Sequence, residues 1–183
     1  MSALAFDRDG VRFSAFDLGA GPAVVFQHGL GGDAAQVAEV FPDGNGLRRL
    51  TLECRGQGGS EPGAPSSFSI ANFASDVLAF CDARRVERFA VGGISMGAAI
   101  ALRIAVVAPE RVTSLVLARP AWLWGSAPPN MRPFAEVGAL LRWPDRGAAR
   151  AAFERSETAR RLAEYAPDNL ARSAASSMSR ILP

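Results

Sequence analysis

The chain has 183 residues, of which 49% are hydrophobic and 21% are charged, and its formal net charge is +2. This composition is typical of a globular protein with one substantial core and argues against a disordered chain. All 20 basic residues are Arg and nearly balance the 18 acidic residues, so no field of one sign predicts a nucleic-acid partner or binding to an anionic membrane.

Cysteine usage and early charges predict a cytoplasmic protein. Cys54 and Cys81 are too few for a disulfide framework and lack the spacing of metal ligands. Charged residues at positions 7–9 precede any long apolar stretch, which argues against a secretory signal. The most apolar stretch, residues 91–109, includes a glycine-rich turn and Arg103, and it predicts a buried strand and helix instead of a membrane span. We expect no metal ion and no cofactor.

An opening hairpin and a buried strand are predicted at the start of the chain. Gly10 separates two short runs, and the second, over residues 11–17, alternates between apolar and polar side chains as a half-exposed strand does. Residues 23–27 form a continuous apolar run, which is typical of a strand buried on both faces. Asp33 then has the position of an N-cap for a short helix that continues to Phe41.

Strands and helices alternate in the segment that follows. Strands are predicted over residues 49–53, 88–92 and 112–118. One helix between them, with Ser69 as its N-cap, carries on one face Ile70, Phe73, Val77, Phe80 and Cys81. A second helix is predicted over residues 96–108 and is stopped by Pro109. This order predicts the α/β class, with a mostly parallel sheet of about six strands and helices on both faces.

The sequence changes character at Pro120. Several prolines interrupt a stretch that contains Trp122 and Trp124, and residues 134–182 predict two or three helices with no further strand. We therefore divide the chain into an α/β core over residues 1–119 and a helical segment over residues 120–183.

A Gly-x-Ser-x-Gly pattern at residues 93–97 identifies Ser95 as a candidate nucleophile. The pattern lies between a strand-like and a helix-like run, where a sharp turn leaves no room for side chains at Gly93 and Gly97. Such a turn exposes the Ser95 hydroxyl and places the first amides of the new helix beside it, where an acyl oxyanion can bind. A chance occurrence in a glycine-rich chain is the alternative, and the flanking strand and helix disfavour it.

Four features, in this order, resemble the α/β-hydrolase superfamily over residues 11–118. They are His28-Gly29 after the third strand, Glu53-Cys54-Arg55-Gly56-Gln57-Gly58-Gly59-Ser60 after the fourth, the serine turn after the fifth, and Pro109-Glu110-Arg111-Val112 before the sixth. The family more often has Asp in place of Glu53 and His in place of Gln57. We expect these differences to affect loop packing more than chemistry.

The resemblance implies a role for each site residue. Ser95 corresponds to the nucleophile, and the backbone amides of Met96 and Leu30 correspond to the two donors of the oxyanion hole. Support of the site loops is implied for His28, Gly29, Gly93 and Gly97. The implied activity is that of a serine hydrolase whose partner is a small-molecule acyl substrate, such as a carboxylic ester.

Chain order argues against His28 as the general base, although it is the only histidine. In the family the base follows the last strand, so we assign His28 a structural role in holding the oxyanion loop. The acid is missing as well, since Asp145 and Asp168 lie in helix-rich sequence and are interpreted as solvated or capping carboxylates. We expect a truncated α/β-hydrolase fold that is nearly inactive alone, because loss of the histidine costs about 10⁶ in kcat in a serine hydrolase.

Two other hypotheses stay open. A non-catalytic small-molecule-binding or interaction protein would keep the fold without the catalytic machinery, and a second polypeptide could supply the histidine instead. The segment after Pro120 resembles an incomplete family lid, in which Trp122 and Trp124 would line an apolar acyl pocket. Trp143, Tyr165 and Phe134, together with Met131, extend this apolar set. The same residues fit the small core of a helical hairpin equally well.

The last predicted strand has no later strand to pair with. Residues 112–118 are apolar, and an unpaired edge of this kind promotes association. We expect either that the helices from Phe134 onward cover this edge or that two chains form a homodimer through it.

Overall fold

Six strands form one sheet in the computed structural model, which describes residues 2–42, 44–120, 125, 127–140 and 142–167. The strands are β1 (Leu4–Arg8), β2 (Val11–Leu18), β3 (Ala23–Gln27), β4 (Arg48–Leu52), β5 (Phe89–Ile94) and β6 (Val112–Ala118). Their order across the sheet is β1-β2-β4-β3-β5-β6. The hairpin β1–β2 and the β2–β4 pair are antiparallel, and the other pairs are parallel. The predicted α/β class and mostly parallel sheet are therefore confirmed.

Helices cover both faces of this sheet. They are α1 (Ala34–Val40), α2 (Ile70–Ala83) and α3 (Met96–Val107). The larger core includes Val25 of β3 together with buried residues of α2 and α3. Phe26, the next residue of β3, packs with Val37 of α1 in a second cluster. Successive residues of a strand point to opposite faces, so α1 lies on one face and α2 and α3 lie on the other.

Two of these helices begin at the residues that the sequence predicts. The Asp33 carboxylate accepts hydrogen bonds from the amides of Ala35 and Gln36 at the start of α1. The Ser69 hydroxyl accepts a hydrogen bond from the Asn72 amide at the start of α2. Each side chain satisfies backbone donors that a helix leaves without an intrahelical partner.

Strand β6 lies at the edge of the sheet and pairs only with β5 among the described strands. Its middle residues are exposed, with Leu115 at 38% and Val116 at 52% of their full accessible surface. Leu117 packs against the larger core, and Ala118 packs against the second cluster. Val112 also packs against the larger core, so the strand is anchored at both ends while its middle is exposed.

The chain divides into two compact units, Met1–Leu123 and Trp124–Pro183. In the second unit the structure describes three α-helices, α4 (Arg132–Leu140), α5 (Arg146–Glu154) and α6 (Glu157–Tyr165). Among the described residues of this unit, the buried side chains are those of Ala149, Phe153 and Ala159. Trp143 and Tyr165 are 45% and 75% exposed, so they do not form the core that one interpretation of these aromatic residues required. Trp122 and Trp124 lie outside the described residues.

Candidate active site

Ser95 occupies the turn between β5 and α3. Its backbone angles are φ 53° and ψ −107°, which a non-glycine residue rarely adopts. Strain of this kind costs about 1 to 3 kcal/mol and persists only where the surrounding structure enforces it. The Ser95 amide donates to the carbonyl of Ala118 at the end of β6 over 2.9 Å. The turn is therefore held from the neighbouring strand, in the geometry that the Gly-x-Ser-x-Gly pattern predicts.

The glycines around Ser95 are required by close backbone approach. A Cβ atom on Gly97 would overlap the carbonyl oxygen of Gln27 and would lie 2.7 Å from the carbonyl oxygen of His28. A Cβ atom on Gly93 would lie 2.8 Å from the same Gln27 oxygen. The first turn of α3 can pack onto the end of β3 only because both positions lack a side chain.

The loop after β3 lies directly against the serine. A Cβ atom on Gly29 would be 3.7 Å from the Ser95 Cβ atom and 3.4 Å from the carbonyl oxygen of Ile94. Ser95 itself is half-buried, and its hydroxyl makes no capping bond to α3. No described residue is a hydrogen-bond partner of this hydroxyl, so it remains available to react.

Most amides of this loop already have acceptors. The Gly29 amide donates to Gln36 Oε1 over 2.7 Å, and the Gly31 amide donates to Gln57 Oε1 over 2.7 Å. The Gly32 amide donates to the Gly29 carbonyl over 3.0 Å. The Leu30 amide is different, because the described part of the chain provides no acceptor for it. One N–H of the loop beside Ser95 is thus unsatisfied.

A second unsatisfied donor lies on the other side of the serine. Met96 is the first residue of α3, so its N–H has no acceptor within the helix. The structure gives this N–H no other acceptor among the described residues. Backbone N–H groups without a protein acceptor at a helix N-terminus are able to bind an anion, and the positive end of the α3 dipole adds to this.

His28 is completely buried, and both of its ring nitrogens face backbone groups. The Cys54 amide donates to Nε2 over 3.0 Å, so Nε2 must be the unprotonated nitrogen. Nδ1 then carries the proton and donates to the Gly29 carbonyl over 2.8 Å. Burial lowers the pKa of His28, which favours this neutral form. In a trans peptide the Gly29 carbonyl and the Leu30 N–H point in opposite directions, so this bond orients the Leu30 N–H.

Two side chains that the sequence analysis assigned only to loop packing hold this loop in place. Gln57 accepts from the Gly31 amide, as described above. The buried carboxylate of Glu53 accepts from the Ala34 amide over 2.9 Å and from the Gly59 amide over 2.7 Å. Both residues depart from the family pattern in the loop after β4. That departure was the one signal in the sequence that could have identified them.

The sequence predicts that Asp145 and Asp168 are solvated or capping carboxylates. The Asp145 carboxylate accepts a hydrogen bond from the Ala148 amide over 3.0 Å and caps α5, in agreement with its interpretation as a capping residue. Asp168 lies outside the described residues. Within the described ranges, no group of three or more His, Cys, Asp or Glu side chains is placed to hold a metal ion.

A cavity of about 350 Å³ lies elsewhere in the first unit, lined among others by Arg8, Arg55 and Asp76. The Arg55 guanidinium and the Asp76 carboxylate form two hydrogen bonds of 2.7 and 2.9 Å there. Ser95 does not line this cavity. The polar groups that line the cavity are paired with one another. We therefore assign these groups to the support of the loop after β4.

In the described part of the chain, no helix is long and apolar enough to cross a membrane.

Comparisons with known proteins agree with this architecture. A family model described as the alpha/beta hydrolase fold matches residues 22–166. A hydrolase of known structure from Pseudomonas aeruginosa PA01 is 29% identical, with a TM-score of 0.63 over 98% of this chain and 67% of that one. The structure of Est816, described as an N-acyl homoserine lactone degrading enzyme, is 26% identical, with a TM-score of 0.64 over 94% of this chain and 64% of that one.

Curated relatives match over a shorter segment. The dihydrolipoyllysine-residue acetyltransferase component of the acetoin cleaving system of Cupriavidus necator is 34% identical over 116 residues, which are 62% of this chain and 31% of that protein. Across eight such relatives the match spans 31% to 44% of the relative's own length. Since the family model matches well over half of the chain, the chain belongs to the α/β-hydrolase family.

Proposed function

We propose that Ser95 is the nucleophile of a serine hydrolase acting on a carboxylic ester or a related acyl substrate. One observation carries this proposal. Ser95 lies in a strained turn, and its hydroxyl has no hydrogen-bond partner among the described residues, which also provide no acceptor for the N–H groups of Leu30 and Met96. Two N–H groups without a protein acceptor near a serine hydroxyl are the donors that acyl transfer uses to bind the oxyanion.

The proposed reaction follows from this geometry. The Ser95 oxygen attacks the carbonyl carbon, and the carbonyl oxygen gains negative charge that the Leu30 and Met96 N–H groups bind. The general base takes the Ser95 proton and gives it to the alcohol oxygen as the bond to this leaving group breaks, and an acyl-serine forms. Water attacks this acyl group in a second step and releases the acid. The similarity to a protein described as degrading N-acyl homoserine lactones, which are cyclic esters, supports an ester-type substrate.

The general base is proposed to come from outside these 183 residues. His28 is the only histidine, and both of its nitrogens are engaged with the backbone. Its role in the proposal is to orient the Leu30 N–H through the Gly29 carbonyl. Without an external imidazole, Ser95 should be a poor nucleophile, and the isolated chain should hydrolyse aryl esters hardly faster than buffer.

An added imidazole tests this proposal directly. The chain is incubated with an alkyl fluorophosphonate, with and without imidazole, and the adduct is measured by intact mass and located by peptide mapping. The Ser95 oxygen displaces fluoride from phosphorus, and imidazole takes the serine proton. We expect labelling at Ser95 that depends on imidazole and is absent in Ser95→Ala.

Ser66→Ala is the matched control, because Ser66 is an exposed serine in a different segment, the short helix Pro65–Ser67. This variant should be labelled as fast as the wild-type chain. Labelling that persists in Ser95→Ala, or no labelling of the folded wild-type chain at any imidazole concentration, would overturn the proposed nucleophile.

A further inference from the structure

Arg119 carries a positive charge next to the serine turn. It follows Ala118, the last residue of β6, whose carbonyl oxygen accepts a hydrogen bond from the Ser95 amide over 2.9 Å. In a trans peptide group the carbonyl oxygen lies about 2.8 Å from the next Cα atom, so the Arg119 Cα atom lies within about 6 Å of the Ser95 nitrogen. An extended arginine side chain places its guanidinium roughly 6 Å from its Cα atom, which is enough to reach a substrate bound at Ser95.

The charge of Arg119 has no partner in the described part of the chain. Arg119 is exposed, and its guanidinium forms no hydrogen bond or ion pair with any described residue. The loops that follow β3, β4, β5 and β6 contain one other arginine among their described residues, Arg55. Its guanidinium forms two hydrogen bonds with the Asp76 carboxylate. Arg119 is therefore the cation of these loops that is available to a ligand.

The backbone of Arg119 is strained, as that of Ser95 is. Its φ is +46°, and it precedes Pro120, although a residue before proline favours an extended backbone. Two other described residues that are not glycine have a positive φ, Asp9 in the turn between β1 and β2 and Arg85 at the end of α2. Turns of those kinds require such a residue by themselves. Glycine would adopt the φ of Arg119 without steric cost, and strained residues of this kind cluster at active sites.

We propose that Arg119 determines the specificity of the Ser95 site by binding a carboxylate of the acyl substrate. The proposal rests on the function proposed for Ser95 and names the class of its substrate. A guanidinium binds a carboxylate through two parallel N–H···O bonds. One unpaired positive charge matches a carboxylate, which carries one negative charge, better than a phosphate monoester, which carries nearly two. The expected substrate is therefore an ester or lactone that also bears a free carboxylate.

Two matched probes test for recognition of a carboxylate. Both are alkyl fluorophosphonates, prepared in a series of chain lengths. The alkyl chain of one probe ends in a carboxylate, and that of the other ends in a primary carboxamide of the same size. The second-order rate constant of imidazole-dependent labelling at Ser95 is measured for each probe at low and at high salt. The carboxamide probe reports the reactivity of Ser95, and the ratio of the two rate constants reports recognition of the charge.

We expect the wild-type chain to favour the carboxylate probe by about 10-fold, and this preference should fall at high salt, because salt screens an exposed ion pair. Arg119→Gln should remove the preference without changing the rate constant of the carboxamide probe. Arg119→Lys keeps the charge but not the planar fork, so it should retain part of the preference. Arg103→Gln is the matched control and should behave as the wild-type chain, because Arg103 is an exposed arginine of α3 roughly two turns beyond Met96.

Arg119→Gly separates recognition from stability. This variant should lose the preference for the carboxylate probe, while its melting temperature should equal or exceed that of the wild-type chain, since glycine relieves the strained backbone. A purely structural Arg119 would instead lower the melting temperature when replaced and would leave the ratio of the two rate constants unchanged, which would overturn the inference.

The outcomes distinguish this inference from the proposed function. Equal rate constants for the two probes at every chain length, with Ser95 labelled by both, would overturn the role of Arg119 and leave the nucleophile intact. A preference that persists in Arg119→Gln would assign the carboxylate site to another cation and would overturn the inference as well. If neither probe labels the wild-type chain, the proposed nucleophile fails, and the role of Arg119 fails with it.

Discussion

The backbone of Gln27 lies against Gly97 so closely that no side chain fits between them. A Cβ atom on Gly97 would be 2.6 Å from the carbonyl carbon of Gln27 and would overlap its oxygen. This contact packs the start of α3 onto the end of β3. It also brings Ser95, at the N-terminus of α3, beside the loop that carries the Leu30 N–H.

The Gly97 contact predicts a large loss of stability on the smallest possible substitution. Gly97→Ala should destabilise the fold by about 3 kcal/mol or more, because backbone atoms must move to relieve the overlap. Gly138→Ala in α4 is the matched control, since a Cβ atom there meets nothing within 4 Å and should stabilise its helix by about 0.5 to 1 kcal/mol. Urea unfolding followed by circular dichroism measures both. Equal effects of the two substitutions would contradict the packing described.

The strained conformation of Ser95 predicts that its removal stabilises the protein. Ser95→Gly should raise the free energy of unfolding by about 1 kcal/mol, because glycine adopts a φ of 53° without steric cost. Ser95→Ala keeps the strain and should lie within about 0.5 kcal/mol of the wild-type chain. Thermal unfolding of the three proteins under one condition tests this. A glycine variant no more stable than the alanine variant would show that the turn is relaxed.

His28 predicts a dependence of stability on pH. Burial places the pKa of native His28 below the value of 6.5 for an ordinary imidazole. Below pH 6.5 the unfolded chain therefore binds more protons than the native one, and the free energy of unfolding falls by up to about 1.4 kcal/mol per pH unit. Above pH 6.5 His28 is mostly neutral in both the native and the unfolded chain, so its titration no longer lowers the free energy of unfolding. Asp17 accepts hydrogen bonds from Arg48, which lower its pKa. The stability that this carboxylate contributes is therefore lost at a lower pH.

Chemical unfolding of the wild-type chain and of His28→Gln between pH 5 and pH 8 measures this contribution. The variant should be less stable at pH 7, because two buried hydrogen bonds are altered, yet it should lose less stability on acidification. Parallel curves for the two proteins between pH 5 and pH 6.5 would exclude His28 as the titrating group.

The edge strand β6 predicts association of the chain. Val116 is 52% exposed, and one edge of β6 has no paired strand among the described residues. Val116→Lys should therefore lower the tendency to self-associate at little cost to stability, since a charge on an edge strand opposes pairing. Sedimentation velocity over a range of concentrations measures the change, and Arg103→Lys in α3 serves as a control for a surface substitution. If the wild-type protein self-associates as its concentration rises and the Val116→Lys variant does so equally, β6 is excluded as the surface of association.

Amide exchange distinguishes the two ways in which the β6 edge could be covered. Protection of the amides at 114–117 that falls on dilution would indicate pairing between chains. Protection that is independent of concentration would indicate cover by the helices from Phe134 onward. Fast exchange along the whole strand in a monomer would contradict both.

Local sequence alone determined the elements that depend on near neighbours. The strand over 23–27, the caps Asp33 and Ser69, and the serine turn at 93–97 are set by side-chain alternation, capping groups and steric limits within a few residues. These features also place the candidate nucleophile, because the turn geometry requires only Ser95 and its flanking glycines. For the same reason the family resemblance could be identified from short motifs.

Tertiary structure alone decided which groups complete the site. Gln57 and the Gly31 amide are 26 residues apart, and Glu53 and the Ala34 amide are 19 apart. Such a bond between a side chain and a distant backbone amide forms only when two loops have reached their final conformations, and no periodicity or motif encodes it. The Leu30 N–H has no acceptor among the described residues, whereas the Gly29 and Gly31 amides on either side are bonded to Gln36 and Gln57, so the proposed oxyanion hole depends on the folded chain.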